Sequence, residues 1–538
     1  MKFPVLPAGD SIRQSVQTVF GGLNHTAGAS DGDLWDMQNL WSGDFPRLSV
    51  RPKRVTLGTL TKPNGLFHEG RRFTVDGTVL YVDGVSAGAV TDTKKTFAAL
   101  GGRVLIWPDK KMWVPPASAG ASGTLVSLER SVTTSCTFAD GTYAGEEAEG
   151  NTLLAADSSF DWGTCFRVGD AVSISGSSHA ENDQTLIIRE IGGNALRFYE
   201  HSFTDESTAA NITVARTVPD LDHLCVNENR VWGCRGDTIY ASKLGDPYNW
   251  YVFDGLSTDA WSWDTGTAGD FTGCVSFLGY PCFFKERQIF KVYGDKPTNF
   301  EPMGAPDLGV MAGCGRSLAV ANETLFYLSR VGPMAYSGGV PRPVGEALGV
   351  TLTQAVGGSD GLKYYMSAKN SANVWRLYVY DALRQMWHVE DAAHAEYFAP
   401  GAAGAVECLT SGGALWTTDM SAAGTAEAAV RWVAEFGDYY MYINSGRSAK
   451  SSPNKKHITK VLIRLELPTN STAAVYIRYD SSGNWVSVAS LTAEVKKSHY
   501  LPVVPRRCDH FRLKLTGSGP CIVHSLTTET SEGSPNKL

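Results

Sequence analysis

The sequence predicts an all-β protein built on a β-propeller of about seven blades, and three observations carry that expectation. Glycine is abundant, with 56 residues, and aromatics reach 11%, a combination that suits short strands joined by tight turns. Helical periodicity is scarce, and only Ser421–Val430 invites a short helix. A hairpin unit also recurs along most of the chain. Its clearest copy runs from Asn229 to Trp250 as NRVWGCRGDTIYASKLGDPYNW. Two apolar runs, Val231–Trp232 and Thr238–Ala241, flank a turn at Gly236, where positive φ costs no steric strain. A second turn, Leu244-Gly245-Asp246-Pro247, leads into Tyr248, Trp250 and Tyr251.

Residues 1–63 read as an extended N-terminal assembly arm. Its heart, FGGLNHTAGASDGDLWDMQNLWSGDFPRLSVRPKR, carries Trp35, Leu40, Trp41 and Phe45 without strand periodicity, which suits packing against a neighbour. Asp31, Asp33 and Asp36 invite a calcium reading, but the glycine and distal glutamate of that motif are missing at the right spacing. The run Arg47 to Arg54 is short for a phosphate site and reads as a solvated edge.

From Asn64 the repeats begin. GLFHEGRRFTVDGTVLYVDG and Phe97–Pro115 supply the first two, and the unit returns at Asp220–Trp250, Gly273–Gly294, Val310–Gly339, Leu362–Glu390 and His394–Asp419. Self-similar β units at such spacing signal a propeller, whose small sheets bury their faces only by stacking on one another. The propeller is assigned to 64–116 and 218–430. Between them, 117–217 loses the period but alternates in FRVGDAVSISG and QTLIIREIGGNALRFYE, as an inserted small β-barrel or sandwich would. Residues 431–538 carry longer alternating strands, the pattern of a jelly-roll-like β-sandwich ending in a loose polar tail.

Catalytic signatures are weak. Glu146, Glu147 and Glu149 cluster on a Gly-rich loop and would need a facing carboxylate for glycoside chemistry. Asp480-Ser481-Ser482-Gly483-Asn484-Trp485 resembles a sialidase Asp-box, with its glycine one residue late, and reads as a hairpin turn closed by Trp485. His394, His457 and His510 flank strands, and the ten cysteines show no metal-ligand spacing, which leaves them as reduced core thiols, with Cys225, Cys234, Cys274, Cys282 and Cys314 in or beside apolar runs. The expectation is no enzymatic activity, no cofactor and no metal. MKFPVLPAGDSIRQ lacks the apolar core of a signal peptide, and no run approaches the roughly 18 apolar residues of a membrane span. A formal charge of −7 argues against a nucleic-acid-binding surface.

The opening FGGLN…DGDLWDMQNLWSGDFPRLSVRPKR, the hairpin RVWGCRGDTIYASKLGDPYNW, then FKERQIFKVYG, GPMAYSGG and RRCDHFRLKLTGSGPC, resemble the tail nozzle or hub proteins of short-tailed bacteriophages and prophages. These are also called tail tubular B or packaged-DNA stabilisation proteins. The resemblance spans most of the chain but not the insert. It implies a virion structural protein, assembled in the bacterial cytoplasm as a homo-oligomeric ring, commonly of six copies. It further implies a DNA channel continued below a portal or adaptor ring, with tail fibres or spikes as further partners and viral DNA passing without sequence-specific binding. Two other readings stand beside it: a tail-tip or fibre-base protein of a long-tailed phage, and a glycan-binding or glycan-cleaving propeller.

Overall fold

The structure is a computed structural model that describes residues 12–531 except 119–120, 142–149, 200–202, 441, 446–447, 452–455, 481 and 505. The chain forms two compact units, 61–315 and 1–60 with 316–538. It is all-β, and seven blades of a β-propeller follow one another along it. Blades 1 to 4 (63–89, 96–127, 223–264 and 273–306) belong to the first unit, and blades 5 to 7 (319–343, 352–389 and 395–417) to the second.

Blades 1 to 6 are four-stranded antiparallel sheets and blade 7 has five strands, and their turn chemistry is repetitive. The first two strands of blades 2, 3, 4 and 5 are joined by two-residue turns at Gly101-Gly102, Glu228-Asn229, Leu278-Gly279 and Asn322-Glu323, with both φ values positive in each. That turn matches the right-handed twist of the flanking strands. Neighbouring blades bury rings against one another: Phe67 stacks on Phe97 at 5.5 Å, and Phe326 on Tyr364 at 5.3 Å. Blade 7 takes its fourth strand from far upstream, where Val55–Thr59 pairs with Ala414–Thr417. The helix expected at Ser421–Val430 does not form. Thr425–Ala426 instead pairs with the same Val55–Thr59 strand, and Glu427 is drawn to Arg51.

Blade 2 ends later than its periodicity suggests, because its last strand, Thr124–Ser127, lies beyond 116. The insert that follows is a closed six-stranded barrel over 130–216, filled by Cys136, Leu153, Trp162, Ile188, Phe198 and Val214. The hairpin stretch at 229–250 gives it a seat. Asn249 accepts from the Ala171 N–H at 3.0 Å and donates to Asp170 at 3.0 Å, while Tyr248 lies under the guanidinium groups of Arg167 and Arg216. Asp170 is itself ion-paired with buried Arg216.

In the second unit an 11-stranded sheet gathers the C-terminal strands. Its spine is the 24-residue strand Lys456–Tyr479, which pairs first with Ile522–Ser531 and further on with His510–Ser518. Segments of the arm enter the same sheet. Leu34–Gln38 pairs with Arg431–Phe436, Leu48–Val50 pairs with the last strand, and Ile12–Gln17 runs along that strand from Leu526 to Ser531. Leu34, Met37 and Leu40 are buried within the chain itself, whereas Trp35 and Phe45 stay partly exposed.

Candidate functional site

Two cavities of the second unit concentrate polar chemistry, and both are built by the arm. The first is formed by the loop 24–35 against 437–439. The Gly21 N–H donates to the Gly32 carbonyl at 2.9 Å and closes the loop's base. Inside it, Asp33 Oδ2 accepts from Asn24 Nδ2 at 2.9 Å and from the Ser30 N–H at 2.7 Å. The resulting cavity of about 420 Å³ is lined by Asp31, Asp33, Asp438, His25, Trp35 and Tyr439, among others. Burial raises the Asp31 carboxyl above its usual range. Asp438 is clamped by Arg512, whose Nε and Nη2 reach its two oxygens at 2.9 and 3.0 Å. Trp35 is already engaged, with the His25 ring stacked at 4.4 Å and the Arg512 guanidinium 4.9 Å from its centroid. The cavity thus brings three carboxyl side chains, Asp31, Asp33 and Asp438, together in a space that fits a sugar-sized group.

The second cavity, of about 390 Å³, is lined by Trp41, Arg51, Arg54, Asp360, Tyr365, Glu390 and Asp419, among others. Here the basic run meets its partners. Arg54, only 6% exposed, pairs with Glu390 and with Asp391 at 2.6 Å, and lies 4.0 Å over Trp416. Arg51 reaches Glu427 at 2.7 Å and Glu390 at 3.7 Å. Burial opposes the Arg54 charge, but the two carboxylates outweigh it and raise its pKa. The other two carboxylates are also satisfied. Asp360 accepts from the Leu362 and Lys363 N–H groups, and Asp419 from Ser421 N and Oγ. This is an ion-pair network that joins the arm to the chain near residues 390 and 427.

The residues singled out in the sequence end in different places. Asp36 leaves Asp31 and Asp33 and pairs with Arg376 at 2.9 Å, so the three do not share a cation. Glu146, Glu147 and Glu149 lie outside the described residues. Asp480 sits in a turn with φ of 47°, accepting from the Asp509 N–H at 2.8 Å, and Trp485 lies under Lys514 at 4.3 Å. His510 bonds to Asp509, and ligand atoms of Asp480, Asp509 and His510 lie within 4.8 Å of one another. Sequence spacing hid that group because it spans two strands. His394 stacks on Trp375 at 3.7 Å. All ten cysteines are free thiols, eight of them buried. No helix of the described residues is long and apolar enough to cross a membrane.

No family model matches this chain, and no curated protein matches it. Among solved structures it is similar to BamB from Moraxella catarrhalis at 10% identity, over 68% of this chain and 97% of that one, with a TM-score of 0.34. A chain of the mitotic checkpoint complex is similar at 9% identity, over 78% and 96%, with a TM-score of 0.30. An exo-β-1,3-galactanase from Phanerochaete chrysosporium is similar at 10% identity, over 56% and 92%, with a TM-score of 0.21. Likenesses this distant carry no argument about what the chain does.

Proposed function

We propose that this chain is a virion structural protein, a ring-forming tail nozzle or hub that continues the DNA channel of a bacteriophage. The observation that carries the reading is an open sheet edge. Val486–Leu501, a 16-residue strand, pairs only with the long strand Lys456–Tyr479 among the described residues. It exposes Val495 at 88% and Tyr500 at 71%, and Val504 just beyond it at 77%. A long edge strand with exposed apolar side chains is a liability for a lone protein and an asset for one built to assemble. The stretches that carry the sequence resemblance support the same reading, because they make scaffold: the arm knits the C-terminal sheet, and the 229–250 hairpin seats the barrel. On this reading the copies form a closed ring between an adaptor and the tail fibres or spikes, and the protein catalyses nothing. Electron microscopy and native mass spectrometry of the purified chain test it. Rings are expected from the natural sequence, and paired charges at the edge (Val495→Glu with Tyr500→Glu) should leave folded monomers. A natural chain that stays monomeric at high concentration, with no place in a particle, overturns the reading.

The second reading, a glycan-directed propeller, is favoured by the Asp31–Asp33 cavity. It predicts polysaccharide cleavage that Asp31→Asn abolishes while the fold is kept, and the nozzle reading predicts no cleavage at all.

A further inference from the structure

Blades 3 and 4 meet along their first strands, His223–Asn227 and Gly273–Phe277. Ser276 Oγ donates to Asn227 Oδ1 at 2.7 Å, which sets residue 227 of one strand beside residue 276 of the other. Two residues back along each strand, on the same face because side chains alternate, stand Cys225 and Cys274. Both cysteines lie in one hydrophobic cluster, which also takes in Cys234 from the second strand of blade 3. Trp232, Phe271, Phe283 and Phe290 pack the same cluster and keep it largely dry. Cys225 is buried, whereas Cys274 is half-buried and is the more accessible of the two. None of these groups belongs to the cavities described above, and register and side-chain alternation place the two cysteines on facing strands of neighbouring blades.

We infer that Cys225 and Cys274 form a dithiol site that closes into a disulfide between blades 3 and 4 when a small disulfide oxidant reaches it. Cys274 gives its proton to water, and its sulfur attacks one sulfur of the oxidant. The oxidant's S–S bond breaks and one small thiolate leaves. Cys225 then loses its proton and attacks the Cys274 sulfur, expelling the second small thiolate. The sum is two protein thiols and one small disulfide giving one protein disulfide and two small thiols. The crosslink ties two blades at their line of contact and removes freedom from the unfolded chain between them. Burial helps to push both thiols well above their ordinary pKa, so closure is expected to need sustained exposure to the oxidant.

The test treats the full chain with oxidised glutathione, then maps peptides without reduction. A single 225–274 crosslinked peptide is expected, with an intact mass lower by two hydrogens. The unfolding midpoint should rise by several degrees and return on reduction. Cys225→Ala and Cys274→Ala should each abolish the mass change, and Cys521→Ala should not. The wild-type map needs no variant to fold, so it decides the matter alone. A native protein that stays fully reduced, stops at glutathione adducts, or links Cys274 to Cys234 overturns the inference.

Discussion

At the scale of single residues, two buried groups of the second unit make sharp predictions. Replacing Arg54 with Ala strands Glu390, itself 8% exposed at the side chain, with only the longer Arg51 contact. Breaking one side of a buried network costs about 3–5 kcal/mol, because the remaining charge keeps its desolvation penalty. Chemical denaturation should show that loss, and Lys53→Ala, whose ammonium only caps the Ala428 carbonyl from an exposed position, should cost under about 1 kcal/mol. His388 is fully buried, and desolvation, reinforced by Lys363 and Arg384, pushes its pKa down to about 3 despite nearby Asp381. Above pH 6.5 it is neutral folded or unfolded and exerts no pH effect. Between about 6.5 and 3 the unfolded chain takes up the proton and the folded chain does not. Stability is therefore lost as pH falls through that window, by up to about 1.4 kcal/mol per pH unit. Thermal unfolding from pH 7 to 4 should show this slope, and His388→Gln should flatten it; an unchanged slope refutes the assignment. Neither partner set was legible in the sequence. Arg54 meets Glu390 and Asp391 across more than 330 residues, and nothing local in RLSVRPKR distinguishes a buried ion network from a solvated edge.

Elements were far more legible, because their signals are local. All seven repeats in the sequence correspond to blades, since alternation and glycine turns are written within 20 or so residues. The turn at Gly236, with φ of 57°, and buried Trp250 stand where the 229–250 pattern puts them. What escaped notice was turn chemistry without glycine. Glu228-Asn229 and Asn322-Glu323 adopt the same doubly positive turn as Gly101-Gly102, held by the strands on either side. Leu278 is the most conspicuous case, a bulky side chain at φ of 53° that is 53% exposed and gains little packing in return. A left-handed L-residue costs roughly 1–2 kcal/mol, and asparagine tolerates that region better. Leu278→Asn should therefore stabilise the protein by about 0.5–1 kcal/mol, read as a higher denaturation midpoint at unchanged slope. A loss of stability would mean that the Leu278 side chain has a partner worth more than the strain. The arm was the element least open to reading, since its strands find their partners near residues 390, 431–436 and 522–531. Gly22 shows how closely it seats: a Cβ there would lie 2.2 Å from the Trp387 carbonyl oxygen.

At the scale of the whole molecule, charge links structure to the proposed role. A protein that lets DNA pass must not hold it, and each Lys or Arg that reaches phosphate adds a salt-sensitive contact that a ring multiplies by its copy number. The chain has 55 acidic and 48 basic residues, so its composition already disfavours a clamp. The structure adds a stronger point, because the densest basic run in the arm is spent internally. Arg47 faces Asp44 at 3.6 Å, Arg51 and Arg54 are neutralised by Glu427, Glu390 and Asp391, and the Lys53 ammonium bonds to the Ala428 carbonyl. Four of the cations that a sequence scan would nominate for phosphate are therefore committed to the fold. Elsewhere Arg512 is tied to Asp438 and Glu435, and Lys110 to Glu129 and Asp220. The purified protein should bind duplex DNA no more tightly than the nonspecific range of about 10⁻⁴ to 10⁻⁶ M at physiological salt, with a shallow dependence on salt concentration. Fluorescence anisotropy across a salt series measures both quantities. Tight binding with a slope corresponding to several phosphates would make the protein a retainer that grips the genome, and would require a basic surface that the ion pairs of the arm do not supply.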